Sequence, residues 1–164
     1  MAELLFITPQ EASSSTILSG NIDIDKFLFC IANVQLTTIE PLLGTELYDK
    51  IVAEKTAGTL AGDYLTLFND FIKPITKHES VAQFIEIASY IVDNGGIYKH
   101  SAEGKEVVDK QEAQFLSGKS KAMSQMYVQR FNKWIEYNPL AEYKTYQDEV
   151  NAIKDINLLT GWKL

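Results

Sequence analysis

Apolar residues recur along most of the chain at intervals of three and four, which is the spacing of one face of an α-helix. The first helix is predicted at Thr8-Pro9-Gln10-Glu11. Thr8 can cap it, Pro9 suits its first turn, and Glu11 can complete a capping box. We expect this helix to end near Leu18, because Ser19-Gly20-Asn21 is typical of a turn.

Three or four further helices are predicted before residue 94, depending on the role of Pro74. One begins at Asp23 or Asp25 and ends at Glu40, because Pro41 disfavours helix at the residue before it. Gly44 then breaks the pattern, Thr45 is a candidate cap, and the next helix ends at residues 56–58. A third pattern covers residues 64–72; Pro74 either starts a new helix or kinks one continuous helix. The segment after residue 74 has a wide apolar face that includes Ile91, so we expect a buried helix that ends before residue 94.

Asn94-Gly95-Gly96 is the strongest turn signal in the chain. Residues 97–99 and 105–108 are predicted to pair as a short hairpin across a loop that holds Gly104. A capping box of Asp109 and Glu112 then opens the longest helix, which is expected to reach about Tyr137. Such a helix is about 42 Å long. Its predicted apolar side consists of Leu116, Met123, Met126, Tyr127, Phe131, Trp134 and Ile135.

The pattern as a whole predicts an all-α bundle of five or six helices with one short β-hairpin or loop excursion. Residues 1–140 form the predicted helical domain, and residues 141–164 form an extended C-terminal tail. Aromatic residues near a chain end either cover the core or anchor a partner. The aromatic residues to which this choice applies are Trp134, Tyr137, Tyr143, Tyr146 and Trp162. The candidate partner-binding residues of the tail are Tyr143, Tyr146, Leu158, Leu159, Trp162 and Leu164.

Composition narrows the class of protein. The chain has 164 residues, of which 46% are hydrophobic, with only 4 Pro and 9 Gly, and these values exclude a disordered or low-complexity chain. The net charge of −7 argues against a basic face that grips phosphates. Two interpretations of the acidity remain open, a surface kept soluble by mild repulsion and a surface past which DNA slides without sticking. The start of the chain lacks a basic region and a long apolar run, so no secretory signal is expected. No membrane span is expected either, because no stretch of the sequence approaches the roughly 20 apolar residues that a span requires.

No catalytic pattern is complete. Ser117-Gly118-Lys119-Ser120 is similar to the end of a phosphate-binding loop, but Ala113 stands where that motif requires glycine. His78 and His100 have no second histidine at metal-binding spacing, and Cys30 sits in an apolar segment typical of a core. We therefore expect no enzymatic activity, no cofactor and no metal.

The order of these signals resembles the small head-to-tail connector proteins of tailed bacteriophages, most closely those of phages of Bacteroides-type hosts, including the crAss-like group. The resemblance runs from about Phe6 to Pro139. It rests on the segments 6–11, 19–23, 42–48 and 94–97 and on Tyr127 and Arg130 in the long helix. Its best motif is the predicted structural corner that contains Gly44, Thr45, Leu47 and Tyr48. A second structural feature of the resemblance is the hairpin or loop with Gly95, Gly96 and Gly104.

The resemblance implies a structural virion protein that forms a ring beneath the portal protein, by analogy a dodecamer, and is assembled in the host cytoplasm. It implies a lengthened DNA channel, docking of the next neck or tail protein, passage of genomic DNA without sequence-specific binding, and no membrane contact. Terminal segments of such proteins grip the portal, which would give that role to Tyr146, Leu158, Leu159, Trp162 and Leu164. The alternative function is a cytoplasmic helical adaptor that binds one protein partner and forms no ring.

Overall fold

Five helical rods and one hairpin make up the part of the chain that the computed structural model describes, which is residues 4–18, 22–88, 90–93, 96–99 and 110–144. The predicted all-α class is confirmed. Helix α1 (Pro9–Ser13) is capped as predicted, with the Glu11 N–H donating to Thr8 Oγ1 and the Thr8 N–H donating to Glu11 Oε2. It ends at Ser13, before the predicted end at Leu18. At this end the Ser13 and Ser14 hydroxyls donate to backbone carbonyls one turn earlier.

The second rod consists of α2 (Ile24–Val34), a π-helical segment π1 (Gln35–Ile39) and α3 (Glu40–Leu43). Asp23 caps it by accepting a hydrogen bond from the Lys26 N–H. The prediction that Pro41 ends this helix is wrong. The Glu40 N–H bonds to the carbonyl of Gln35, five residues back, and this wider turn accommodates the proline, which has no N–H to contribute.

Gly44 forms the corner between α3 and α4 (Thr45–Ala57). It has φ 77° and ψ 153°, a conformation that is essentially restricted to glycine. The prediction that Thr45 is the cap is wrong, because Gly44 occupies the cap position, Thr45 is the first helical residue, and no side chain caps this end. The helix ends before Gly58, as predicted.

The fourth rod consists of α5 (Gly62–Leu67), π2 (Phe68–Ile72) and α6 (Lys73–Ile87). Of the two alternatives for Pro74, the continuous helix is the one found. The Lys73 N–H again reaches five residues back, to Phe68, directly before the proline. Helix α6 ends earlier than predicted, and Ile91 lies in a strand instead of on its buried face.

Strands β1 (Tyr90–Asp93) and β2 (Gly96–Lys99) pair antiparallel, with Tyr90 opposite Lys99 and Asp93 opposite Gly96. Residues 97–99 thus pair with the preceding segment, and their predicted partner, residues 105–108, lies outside the described residues. The register leaves two residues, 94 and 95, between the strands. Asn-Gly is the dipeptide that most favours a two-residue hairpin connection, which explains why β2 pairs with the segment directly before it in sequence. Gly96 lies in β2, whereas Gly95, Gly104 and residues 105–108 lie outside the described residues.

Helix α6 contacts α2 through Val81 and Phe84. It contacts the last helix, α7 (Lys110–Tyr137), through His78 and Glu86. Two apolar clusters hold the rods together. The larger contains Phe6, Val34, Ile39, Leu43, Leu47, Tyr48, Ile51, Leu67, Phe68, Phe71, Ile72, Ile75, Phe131 and Ile135. The smaller contains Ile7, Ala12, Phe27, Cys30, Ile31, Val81 and Phe84.

The buried side chain of Gln35 fixes the N-terminal segment on this core. Its Oε1 accepts a hydrogen bond of 2.6 Å from the Phe6 N–H, and its Nε2 donates at 3.0 Å to the Leu4 carbonyl. A buried amide is tolerated when both of its ends are satisfied. Gln35 therefore holds the segment that carries Phe6 into the larger cluster.

Candidate interaction surfaces

The predicted structural corner belongs to the core. Leu47 is fully buried, and the Tyr48 ring is buried with its centroid 5.5 Å from that of Phe6. Thr45 is exposed at the start of α4. The motif that begins at Gly44 therefore fixes the angle between two rods and leaves little side-chain surface for a partner.

A cluster of three polar side chains binds the chain beyond α7 to α4 and α5. The Glu142 carboxylate accepts hydrogen bonds of 2.7 Å from Lys50 Nζ and 2.7 Å from the Tyr64 hydroxyl, and Lys50 Nζ lies 3.0 Å from that hydroxyl. These two donors, Lys50 first, lower the pKa of Glu142 to about 2. The same carboxylate raises the pKa of Lys50 above its ordinary value. Lys50 and Glu142 are ninety-two positions apart, and no local sequence signal links them.

Tyr143, one of the predicted partner-binding residues, covers the core. Its half-buried ring meets Phe131 edge-on at 5.6 Å between centroids, and the next residue, Lys144, forms an ion pair with Glu46. The described chain thus stays bound to the bundle through residue 144, beyond the predicted domain boundary at residue 140. The other predicted tail residues, Tyr146, Leu158, Leu159, Trp162 and Leu164, lie outside the described residues.

Helix α7 changes its packing along its length. Near its C-terminal end Phe131 and Ile135 are buried, as predicted. Before Phe131 the buried residues of α7 are serines, namely Ser117, Ser120 and Ser124. Leu116, Met123 and Met126, which we expected on the side facing the core, are about two-fifths exposed. That expectation is wrong because serines occupy the buried positions of this part of α7, and one of them, Ser117, donates a hydrogen bond of 2.6 Å to Glu86 of α6.

An open groove of about 440 Å³ lies between the segment after α1 and the first half of α7. Its floor includes His78, whose ring stacks on Tyr127 at 5.8 Å between centroids. Burial, and to a lesser degree the nearby Lys77 charge, lowers the pKa of His78. We call this the α7 groove, and its lining consists of Ser15, Thr16, Ile17, His78, Leu116, Lys119, Ser120 and Met123.

A second apolar surface lies on the second rod. Phe29 is 64% exposed and Leu36 is 50% exposed, although the residues around them in sequence, such as Cys30 and Val34, are fully buried. Phe29 and Leu36 are seven residues apart, which is two helical turns, with Ala32 between them and Asp25 one turn before Phe29. We call Asp25, Phe29, Ala32 and Leu36 the α2 stripe.

The groups considered for chemistry have structural surroundings. Cys30 is buried, and burial raises its pKa to about 11. Ser117-Gly118-Lys119-Ser120 lies inside α7, where the backbone amides take part in the helix. His100 is outside the described residues. Among residues 4–18, 22–88, 90–93, 96–99 and 110–144, no group of three or more His, Cys, Asp or Glu side chains is placed to hold a metal ion.

Within the same part of the chain, none of the helices combines the length and the apolar character that a membrane span requires.

Comparison with known proteins places this helical bundle in a family. Residues 39–155 match the family of unknown function DUF6712, and the chain belongs to that family. Comparison with curated proteins gave no match, and comparison with solved structures gave none either.

Proposed function

We propose that this chain is a structural virion protein, a head-to-tail connector that forms a ring beneath the portal of a tailed bacteriophage. In this proposal it performs no reaction. Its partners are further copies of itself, the portal protein and the next neck or tail protein, and genomic DNA passes through the ring without sequence-specific contacts.

The observation that carries the proposal is the apolar side of α7 that the bundle leaves uncovered. The helix has 28 residues, so it forms a stiff strut about 42 Å long. Phe115 is 63% exposed, and Leu116, Met123 and Met126 continue the apolar surface along the same strut. Contiguous exposed apolar patches on a folded protein commonly mark protein–protein contacts, which a ring subunit requires on two sides.

The charge of the chain agrees with a channel through which DNA moves. The net charge is −7, and an acidic wall repels the phosphate backbone and so limits adhesion. The contacts of residues 142–144 with Lys50, Phe131 and Glu46 hold the described chain on the bundle up to residue 144. A fixed position at residue 144 is compatible with the proposal that the residues after it grip the portal.

The test uses the phage that encodes the chain. Mass spectrometry of purified particles should detect the protein at a copy number similar to that of the portal subunit. Electron microscopy of the purified chain mixed with its portal protein should show a closed ring on the portal. A protein that is absent from mature particles and remains a monomer with the portal contradicts the proposal, and binding to one host protein would then favour the adaptor alternative.

A further inference from the structure

We propose that the α2 stripe of one copy docks in the α7 groove of the next copy, so that copies join head to tail. This inference rests on the proposed ring, because it names the two lateral surfaces that such a ring requires. A contact between two different surfaces of one chain propagates around a ring, whereas a contact of one surface with itself stops at a dimer.

The two surfaces have matching spacing. Phe29 and Leu36 are seven residues apart on the α2 stripe, and Leu116 and Met123 are seven residues apart along the groove. The groove pair spans about 10.5 Å along α7. The stripe pair spans a similar length, since six of the seven steps precede Leu36, the second residue of π1. A small residue lies between the large ones in both cases, Ala32 on the stripe and Ser120 in the groove. Two helices with matching large and small positions can lie side by side with their side chains interleaved.

The surfaces also have complementary charge. Asp25 is exposed one turn before Phe29, and Asp23 lies near it, where it caps α2 and pairs with Lys26 at 3.7 Å. The described lining of the groove contains one lysine, Lys119, and no carboxylate. Lys77, whose Nζ lies 3.2 Å from the Ser15 hydroxyl, adds a further positive charge at its edge. When the stripe enters the groove, the carboxylate of Asp25 approaches lysines and meets no other carboxylate. This favours docking of a stripe in a groove over contact between two stripes, in which two carboxylates would approach each other.

The size of the contact explains why assembly needs a ring. The surface that two helical turns of each copy can bury is smaller than the roughly 800 Å² per partner that stable pairs bury. We therefore expect single pairs to be weak. A closed ring is more stable because every copy makes two such contacts, and a portal that binds several copies raises their effective concentration.

The test uses single charged substitutions in the full chain. Phe29→Glu removes the stripe and Met123→Glu blocks the groove, and both positions are exposed enough that the bundle should fold, which far-UV circular dichroism checks. Leu65→Glu is the matched control, because Leu65 is 41% exposed, as Met123 is, and lies on α5 away from both surfaces. Self-association is measured by sedimentation at high protein concentration and by electron microscopy with the portal protein.

We expect each of Phe29→Glu and Met123→Glu to weaken self-association at least about tenfold, as central interface residues do, while Leu65→Glu assembles as the native chain does. An equal mixture of the two defective variants still contains one intact pair of surfaces, so it should form heterodimers that do not grow. As a second measurement, Asp25→Lys and Lys119→Glu should each weaken assembly and partly restore it when combined in one chain.

Three results would overturn the inference. Rings that form equally well with all three single variants would place the contact elsewhere and leave the proposed function standing. Loss of assembly with Met123→Glu but not with Phe29→Glu would assign the groove to another occupant, such as residues 145–164 or a different protein. A native chain that stays monomeric both alone and with the portal would contradict the docking and the proposed ring together.

Discussion

The Gly44→Ala substitution tests whether the corner between α3 and α4 depends on a backbone conformation that only glycine adopts readily. Gly44 has φ 77° and ψ 153°. For alanine, backbone strain in such a region raises the conformational free energy by about 1–3 kcal/mol. The neighbours Leu43 and Leu47 are fully buried, so the corner cannot relax by rotating one rod without disturbing the core. We therefore expect the free energy of unfolding to fall by about 1–3 kcal/mol. For a chain of this size each kcal/mol lowers Tm by about 2–4 °C.

The same chemical change at Gly118 supplies the control. Gly118 lies inside α7, and a Cβ added there meets nothing within 4 Å apart from its chain neighbours and the backbone of its own helix. Replacing a glycine in a helix interior by alanine reduces the entropy of the unfolded chain, so Gly118→Ala should stabilise the protein by about 0.5–1 kcal/mol. The two variants thus add the same methyl group and are predicted to shift stability in opposite directions.

Thermal unfolding followed by far-UV circular dichroism, together with urea titration, measures both variants against the native chain. Gly44→Ala should melt lower and Gly118→Ala should melt higher. The reasoning is refuted if Gly44→Ala leaves Tm unchanged or raises it, because the positive φ would then carry no cost. An equal loss in both variants would indicate that the added methyl group disturbs packing and that backbone conformation is not the cause.

Three further predictions concern side chains that bind elements together. Glu142→Gln should lower stability at neutral pH by about 0.5–1 kcal/mol, because it removes the charge that pairs with Lys50. Since the pKa of Glu142 is about 2 against an ordinary 4.5, its contribution is present above pH 4.5 and is lost as the pH falls toward 2; acid titration of unfolding should show less loss there in the variant. The lowered pKa of His78 means that the unfolded chain takes up its proton first, so stability should decrease as the pH falls through 6.5, and His78→Phe should flatten that part of the profile in chemical denaturation. Ser124 is buried, so Ser124→Leu should cost about 1–3 kcal/mol by overfilling its position, whereas an unchanged urea midpoint would show that the position has spare room.

Local signals were enough to place the ends of several elements. The capping box of Thr8 and Glu11, the cap at Asp23, and the stop of α4 before Gly58 all depend on residues within one turn of each other. Such contacts are visible in the order of the residues. The two prolines show the limit, because Pro41 and Pro74 each follow a π-helical turn that lets the rod continue. Whether a proline ends a helix or lies within it depends on whether tertiary packing stabilises the continuous helix.

The interaction surfaces depended on information that no local pattern carries. Leu116, Met123 and Met126 have the spacing of a buried face, yet Ser117, Ser120 and Ser124 are the buried residues instead. Apolar spacing identifies which residues share a side of a helix, but the neighbouring helix determines which side is covered. The contact of Glu142 with Lys50 and Tyr64, and the grip of Gln35 on the N-terminal segment, likewise join residues that are distant in sequence.

The residue order alone determined that this protein is a helical bundle, where most of its helices begin, and that a glycine forms the corner at residue 44, because helix periodicity, capping and backbone freedom act over a few neighbouring residues. Tertiary structure decided which apolar stripes are covered and which remain on the surface. The physical reason is that burial is a property of two elements in contact, and the sequence of one element does not specify how closely its partner approaches.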